Sequence, residues 1–380
     1  MRVTACQMAA DDNLNEDACG KHTNHAHQTG VRHGEKLMLT QPISGEILIQ
    51  RAKSLILSFP SERLVLSTSV YNGGIREDLT AVFNYDCKSE ETGRCELRAE
   101  SYKEELRLTA MDLGLDPEHT TGLSTAAQMK NAAQFSESFE GVTVTAIATG
   151  GIDVNAVRAG DPASYCERSG VFESLTPGTI NLFVIVGCRL SPGALARALV
   201  TCTEAKVAAV QEWLIPSCYS HGIATGSGTD GTILVCNPAS PIELTDAGTH
   251  AKLGEMLAGS VKKSVQHALF LQTGMCPAYQ HVALRRLERF GLCAETVRSW
   301  GWDAALPDGI ATEEEKSQGL VLSSMVASLL EQYENGLLKE QEVCLALDML
   351  WGRIGFVPKE LYDWINAYLS SFSDRRPVPL

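Results

Sequence analysis

Short apolar runs separated by turn residues begin at about residue 45 and continue through the first two-thirds of the chain. Runs of this length that are β-branched and partly alternating are typical of strands. One of them, in the segment GTINLFVIVGC, is continuously apolar, as expected for a central strand that is buried on both faces. The others occur in GEILIQ, RLVLSTSVYN, LTAVFNYD, GVTVTAIATGG and TILVC.

Helical patterns alternate with these strands. A helix is predicted over 96–113, where helix formers continue as far as Gly114. Another is predicted over 192–213, because Ser191 is a good N-cap and a proline follows it. A third is predicted over 249–272, where leucine and valine recur every four residues along one face. This order predicts an α/β fold with a layered core of mixed β-sheet and flanking helices.

The pattern changes at both ends of this α/β region. Residues 1–36 have little apolar periodicity, and beyond Cys276 helical spacing continues while strand signals nearly disappear. The sequence therefore predicts a polar tail at 1–36, an α/β domain at 37–276 and a helical appendage at 277–380 whose role is packing or protomer contact. Four histidines of the tail are either transition-metal ligands or part of a flexible polar segment: His22, His25, His27 and His33.

Composition and charge argue against several classes of protein. Hydrophobic residues make up 44% and charged residues 21% of the 380 residues, which argues against a wholly disordered chain. The formal charge of −14 argues against nucleic-acid or anionic-membrane partners, and no apolar run approaches the roughly 20 residues that span a bilayer. The twelve cysteines form no CxxC pair, and the polar N-terminus does not resemble a signal peptide. We therefore expect a soluble cytoplasmic protein with reduced thiols.

The predicted helix 192–213 carries charged and hydroxyl side chains in the middle of an otherwise apolar segment. Lys206 falls on an apolar stripe, and Glu204 lies about 200° around the helix axis from it, so the two do not pair easily with each other. Each needs a separate partner, because an isolated buried charge is costly. Two interpretations remain open: two structural ion pairs, or a polar cleft in which Thr203 also takes part.

A small polar loop, TGSGTD, separates two predicted strands. Gly226 and Gly228 permit positive φ and close approach of the backbone to a ligand. Ser227, Thr229 and Asp230 add two hydroxyl groups and a carboxylate. The loop lacks the GK[ST] of a phosphate-binding loop, and the strand that follows it does not fit a dinucleotide fingerprint. A ligand-binding loop and an ordinary hairpin turn are both consistent with this composition.

His250 stands at the predicted start of the third helix, beside its apolar face. A helix N-terminus disfavours an added positive charge, so the neutral imidazole is favoured there near pH 7. The neutral form is the one that a general base needs. The alternatives are a helix cap and a core histidine whose hydrogen bonds are satisfied.

Further polar residues lie at or next to the ends of predicted strands. Loops at strand ends are where α/β folds commonly bind ligands, so the repetition of such loops indicates a binding site built from several of them. They comprise the segment 122–126 and the candidate binding residues Asn72, Gly73, Gly74, Asn155, Arg158, Asp161 and Asn181.

Seven segments together resemble the adenosylcobinamide amidohydrolase family of corrinoid salvage. They occur in the family's order and cover about 60–275, which is more than half of the chain. The chain departs from the family pattern at Ser124, where Met is more common, at Ser227, where Thr is, and at Tyr71-Asn72, where glycine is. These departures bear on substrate preference more than on fold. The matching segments are VLSTSVYNGG, TTGLSTAAQMKNAA, VNAVRAGDP, GTINLFVIV, LSPGALARALVTCTEAK, ATGSGTDGTILV and DAGTHAKLGEML.

The resemblance implies hydrolysis of the amide between a corrin propionate and the aminopropanol arm of adenosylcobinamide or a related corrinoid, giving adenosylcobyric acid. This chemistry needs an activated nucleophile, oxyanion stabilisation and an acid for the leaving amine. We expect His250 or Asp230 to activate a water molecule. Lys206 or the backbone amides of 226–229 would stabilise the oxyanion. Glu204 would orient the reacting groups or protonate the leaving amine. A hydroxyl nucleophile is the competing mechanism, with three candidates: Ser227, Thr229 and Thr203.

Other hypotheses remain open beside this one. No cofactor is required, although His250, Asp230 and Glu204 could form a ligand set for a divalent metal. The chain could instead be a non-catalytic corrinoid-binding or carrier protein, or, without the resemblance, an α/β enzyme acting on another small ligand. A corrinoid is the expected small-molecule partner, no nucleic acid and no membrane span are expected, and a homo-oligomer is consistent with the helical appendage.

Overall fold

A computed structural model of the chain describes residues 45–51, 53–89, 91–93, 95, 97–163, 178–351 and 358–373. The predicted N-terminal tail and its histidines lie outside these residues. Strands and helices alternate through the first part of the described chain, and its last part, from residue 283 onward, is helical. The predicted α/β class with a helical C-terminal region is therefore confirmed.

A four-stranded sheet forms one central layer of the α/β region. Its first three strands pair antiparallel, and its last two pair parallel. Its strands in spatial order are β1 (Ile47–Arg51), β2 (Ser54–Ser58), β5 (Ala81–Asp86) and β6 (Thr120–Thr125).

A six-stranded mixed sheet forms the second central layer. Its strands in spatial order are β4 (Gly74–Arg76), β3 (Leu64–Ser67), β13 (Gly231–Cys236), β10 (Ile180–Val186), β8 (Val142–Gly150) and β7 (Ala133–Phe139). Only β10 and β13 pair parallel in this sheet. Parallel neighbours need a crossover, and helix α2 (Pro192–Glu212) lies between these two strands in the sequence. All seven residues of β10 are buried, as predicted for a central strand.

The two sheets pack face to face, and helices cover their outer faces. Alternate residues of β10 point to opposite sides: Phe183 belongs to the core between the sheets, and Val184 to the core under the helices. Helices α2 and α3 (Lys252–Thr273) pack on the six-stranded sheet. Helix α1 (Tyr102–Asp112) packs on the four-stranded sheet. The α/β region therefore has four layers.

Local sequence signals explain where these helices begin and end. The Ser191 hydroxyl accepts a hydrogen bond from the Ala194 N–H at 3.2 Å, as predicted for an N-cap. Helix α1 starts later than predicted, because Ser101 caps it, and it ends next to Gly114, whose φ is +72°. Helix α3 begins only at Lys252, so the predicted start near residue 249 was early.

The helical C-terminal region has a hydrophobic core of its own, formed by side chains such as Leu330 and Leu361. A capping box between Thr312 and Glu315 starts its longest helix. None of the helices in the described ranges is long and apolar enough to cross a membrane. The helices are α4 (Ala283–Leu287), α5 (Ala294–Ser299), α6 (Glu313–Glu334), α7 (Glu340–Trp351) and α8 (Lys359–Ser373).

Candidate active site

The amino ends of the central parallel strands β10 and β13 lie side by side. The register pairs Asn181 with Gly231, which brings Asp230 next to the first residue of β10. The Ile180 N–H donates a hydrogen bond to Asp230 Oδ1 at 2.9 Å. The sheet register, rather than the loop alone, therefore fixes this carboxylate.

Lys206 reaches the same carboxylate from the adjoining helix layer. Its ammonium group forms an ion pair with Asp230 Oδ2, and the two side chains are only 13% and 11% exposed. This pairing supplies the partner that a lysine on an apolar helix stripe requires. The mid-helix turn of α2 and the TGSGTD loop therefore meet at one point.

The TGSGTD loop also wraps around its own carboxylate. The Ser227 hydroxyl donates to Asp230 Oδ1 at 2.5 Å, and the Ser227 N–H lies 3.1 Å from Oδ2. Gly226 is needed for this approach, because a methyl group there would overlap the carboxylate and lie 2.7 Å from Lys206 Nζ. We call Lys206, Ser227 and Asp230 the Asp230 cluster.

Threonines and an amide border the Asp230 cluster. The Thr229 hydroxyl donates to the Gly178 carbonyl at 3.0 Å and lies 2.7 Å from the Thr179 hydroxyl. The Asn155 amide also donates to the Gly178 carbonyl. Gly228, at the tip of the loop, is exposed. Thr229 and Asn155 thus hold the segment that enters β10.

Asn181 ties the two sheets together beneath the cluster. Its amide donates to Asn84 Oδ1 at 2.8 Å and to the Ser124 carbonyl at 2.9 Å, and its own Oδ1 accepts from the Gly231 N–H at 3.1 Å. Asn84 in turn donates to Thr149 at 2.8 Å. Asn181 is only 2% exposed, so the geometry favours a positioning role over the predicted substrate contact. Asn84 was missed, although it interrupts the apolar run LTAVFNYD.

Arg158 and Asp161 lie one strand away from the cluster. A short strand, β9 (Ala156–Val157), pairs antiparallel with β12 (Gly226–Ser227). Asp161 accepts hydrogen bonds from the Arg158 N–H at 2.8 Å and from Ser217 Oγ at 2.6 Å. Burial raises the pKa of the Asp161 carboxyl, but these bonds and one from Ser220 outweigh it and bring the pKa below its usual value.

The Asn72-Gly73-Gly74 turn lies at the same end of the six-stranded sheet. Gly74 pairs with Ser67 of β3, which is the neighbour of β13. Asn72 has a φ of +49°, and its amide donates to the carbonyls of Pro117 and Thr120, each at 2.8 Å. The amide therefore joins this turn to the segment before β6, and its predicted role in substrate binding stays a prediction.

His250 is not brought to the Asp230 cluster. It is exposed and precedes α3, whereas Leu269 near the other end of α3 packs on Gly150, which pairs with Ile180. Residues 252 and 269 are about 26 Å apart along the helix. His250 therefore does not lie beside Asp230, the other residue that we expected to activate water.

Two other predicted residues also point away from the cluster. Glu204 is 51% exposed and lies 4.0 Å from Arg197, in line with its predicted angular separation from Lys206. The Thr203 hydroxyl donates back to the Leu199 carbonyl at 2.9 Å. The hypothetical metal ligand set of His250, Asp230 and Glu204 is thus dispersed. In the part of the chain that the structure describes, no three His, Cys, Asp or Glu side chains come together to hold a metal ion.

The Asp230 cluster has groups that amide hydrolysis uses. They are a hydroxyl group hydrogen-bonded to a carboxylate, an ammonium ion and neighbouring backbone N–H groups. Such a site is consistent with a hydrolase. Residues 39–277, more than half of the chain, match the adenosylcobinamide amidohydrolase (CbiZ) family. The chain belongs to this family of hydrolases, as the sequence resemblance predicted, and α4 to α8 lie beyond the matched residues.

One sequence relative and two solved structures are similar to this chain. An uncharacterized protein of Methanocaldococcus jannaschii is 35% identical over 248 residues, covering 62% of this chain and 92% of that protein. The PH0078 protein of Pyrococcus horikoshii is 12% identical, with a TM-score of 0.28 over 62% of this chain and 89% of that one. An L-aminopeptidase D-Ala-esterase/amidase of Ochrobactrum anthropi is 10% identical, with a TM-score of 0.28 over 58% and 77%.

Proposed function

We propose that this chain hydrolyses the amide between a corrin propionate and the aminopropanol arm of adenosylcobinamide or a related corrinoid, releasing adenosylcobyric acid and the amino alcohol. Family membership supports the substrate class. The reaction type is supported chiefly by one observation: the Ser227 hydroxyl donates at 2.5 Å to Asp230, whose other oxygen is paired with Lys206.

In the proposed mechanism Ser227 is the nucleophile and Asp230 is its base. The hydroxyl oxygen attacks the amide carbonyl carbon while its proton passes to Asp230 Oδ1. Lys206 holds Oδ2, which keeps the carboxylate oriented towards Ser227. The base is thus one of the two expected, and the nucleophile is that of the competing hydroxyl mechanism. His250, the other expected base, lies at the far end of α3.

The tetrahedral intermediate carries a negative oxygen that needs hydrogen-bond donors. The proposed donor is the Thr229 N–H, because it donates to Ser227 Oγ at 3.4 Å and therefore lies next to the carbonyl that Ser227 attacks. When the C–N bond breaks, protonated Asp230 returns its proton to the leaving amine. Water then hydrolyses the seryl ester and releases the carboxylic acid.

Two experiments test the reaction and the nucleophile. Incubation of the enzyme with adenosylcobinamide, followed by chromatography and mass spectrometry, should yield adenosylcobyric acid. A corrinoid spectral shift without product would instead identify a carrier. Rapid acid quenching should trap a corrinoid ester on the peptide that contains Ser227. Ser227→Ala should abolish both product and ester, whereas turnover retained in this variant would favour water activated by Asp230.

A further inference from the structure

The C-terminal helices hold the tip of a loop that belongs to the α/β region. Residues 214–225 connect α2 to β12, and His221 lies near the tip. His221 is contacted by the side chains of Arg289, Phe290, Glu334 and Tyr368. We call these five residues the His221 cluster. Its four outer members lie beyond residue 277, where the family match ends.

Contacts in the His221 cluster are polar and specific. His221 Nδ1 lies 2.6 Å from Glu334 Oε1 and 2.7 Å from the Tyr368 hydroxyl oxygen, which also contacts Glu334. Arg289 donates to the His221 carbonyl at 2.5 Å and to Glu331 at 2.8 Å. Arg289, just after α4, therefore holds the backbone of His221, whereas α6 and α8 hold its ring.

The loop whose tip is held in this way also contacts Arg158 and Asp161. The Ser217 N–H donates to the Gly222 carbonyl at 2.9 Å, so the loop closes on itself. Ser217 Oγ donates to Asp161, and the Arg158 side chain packs so closely on Gly222 that a methyl group there would overlap it. Two adjacent residues, His221 and Gly222, thus face the C-terminal helices and the Arg158 side chain, respectively.

The loop is also close to the Asp230 cluster. The Cys218 N–H donates to the Ala156 carbonyl at 2.8 Å, and Ala156 pairs with Ser227. The loop, β9 and β12 therefore lie side by side in this order. At the usual strand spacing the loop is about 10 Å from β12. Two apolar residues near this contact are exposed: Tyr219, in the loop, at 42%, and Val154, two residues before β9, at 55%. A ligand at Ser227 that is as large as a corrinoid would extend over this surface.

We infer that His221 is a positioning residue for the site: α6 and α8 hold it, and it places the 214–225 loop so that Arg158 and Tyr219 form one wall of the substrate site. The inference rests on the proposed function. It gives the C-terminal helices a role in substrate recognition, in addition to the predicted packing or protomer contact.

The test compares two tyrosine variants of the same helix in the full-length protein. Tyr368→Phe removes a hydroxyl of the His221 cluster. The control, Tyr362→Phe, removes a hydroxyl that donates to Asp348 at 2.8 Å, away from the loop. Hydrogen–deuterium exchange of peptides covering 156–161 and 214–225, and KM and kcat for adenosylcobinamide, are measured for both and for Glu334→Gln.

Tyr368→Phe and Glu334→Gln should speed exchange in both peptides and raise KM roughly tenfold, with kcat changed by less than about twofold, because a misplaced binding group affects binding before chemistry. Tyr362→Phe should match the wild type in these measurements. Unchanged exchange at 156–161, or an unchanged KM despite faster exchange, would overturn the inference. A wild-type enzyme without turnover would refute the proposed function, and the exchange data would still test whether His221 positions this wall.

Discussion

A single methyl group added at Gly226 should disable the candidate site. A methyl group added there would overlap the Asp230 carboxylate and lie 2.7 Å from Lys206 Nζ. Ordinary carbon–nitrogen contacts are about 3.5 Å or longer, so one of these groups must move by about 1 Å. Asp230 is also held by the Ile180 N–H and by Ser227, so its movement would disturb the 2.5 Å hydrogen bond to the proposed nucleophile.

A displacement of about 1 Å at a reacting group can cost about 100-fold in rate. We therefore expect Gly226→Ala to lower kcat/KM for adenosylcobinamide by about 100-fold. Crowding of a packed site typically costs about 1–3 kcal/mol, so the variant should still fold, with a lower urea midpoint.

Gly193→Ala is the matched control, because Gly193 lies in α2 and a methyl group there meets no atom within 4 Å. Replacing this glycine of the first helical turn by alanine should change the free energy of unfolding by less than about 1 kcal/mol. Its kcat/KM should equal the wild-type value. Wild-type turnover by Gly226→Ala, or an equal loss in both variants, would refute the reasoning.

Three further predictions concern the Lys206–Asp230 ion pair, the pKa of Asp161 and the reactivity of the cysteines. In urea unfolding, a double-mutant cycle of Lys206→Met and Asp230→Asn should give a coupling energy of about 1–3 kcal/mol, and additive effects would contradict the ion pair. Because the pKa of Asp161 is lowered in the folded state, its stabilisation is present above the unfolded pKa and is lost as the pH falls through the folded pKa. Asp161→Asn should therefore lower the urea midpoint at pH 7 but progressively less as the pH falls from about 5 towards 2, and a pH-independent difference would argue against this linkage. Burial raises the pKa of Cys202 to about 12 and those of Cys188 and Cys236 to about 11, so iodoacetamide at pH 8 should label exposed Cys293 well before these three in peptide mass spectra, and equal rates would contradict the fold.

The start of α2 and the apolar stripe of α3 could be predicted well because their causes are local. Ser191 and the residues just after it contain the whole signal for the start of α2. The stripe of α3 is likewise buried from Leu253 to Leu269. The presence of two sheets could not be read in the same way, since alternation indicates an apolar face but not the sheet that it packs against.

Lys206 and Asp230 were both identified as candidates, but their pairing was not. It depends on the register between β10 and β13, strands about 50 residues apart, and on the direction of α2 over them. The same limit explains His250. The sequence indicated a helix beginning near it, but the end of the sheet at which that helix begins depends on the packing of α3 against β8 and β7.

The most direct measurement is the single-turnover conversion of adenosylcobinamide by the wild type and by Asp230→Asn, followed by mass spectrometry of the corrinoid. The proposed mechanism predicts that the wild type forms adenosylcobyric acid and one equivalent of amino alcohol, and that Asp230→Asn binds the corrinoid but forms neither. Equal conversion by both proteins, or no conversion by a folded wild type, would contradict the assignment of the Asp230 cluster as the hydrolytic site.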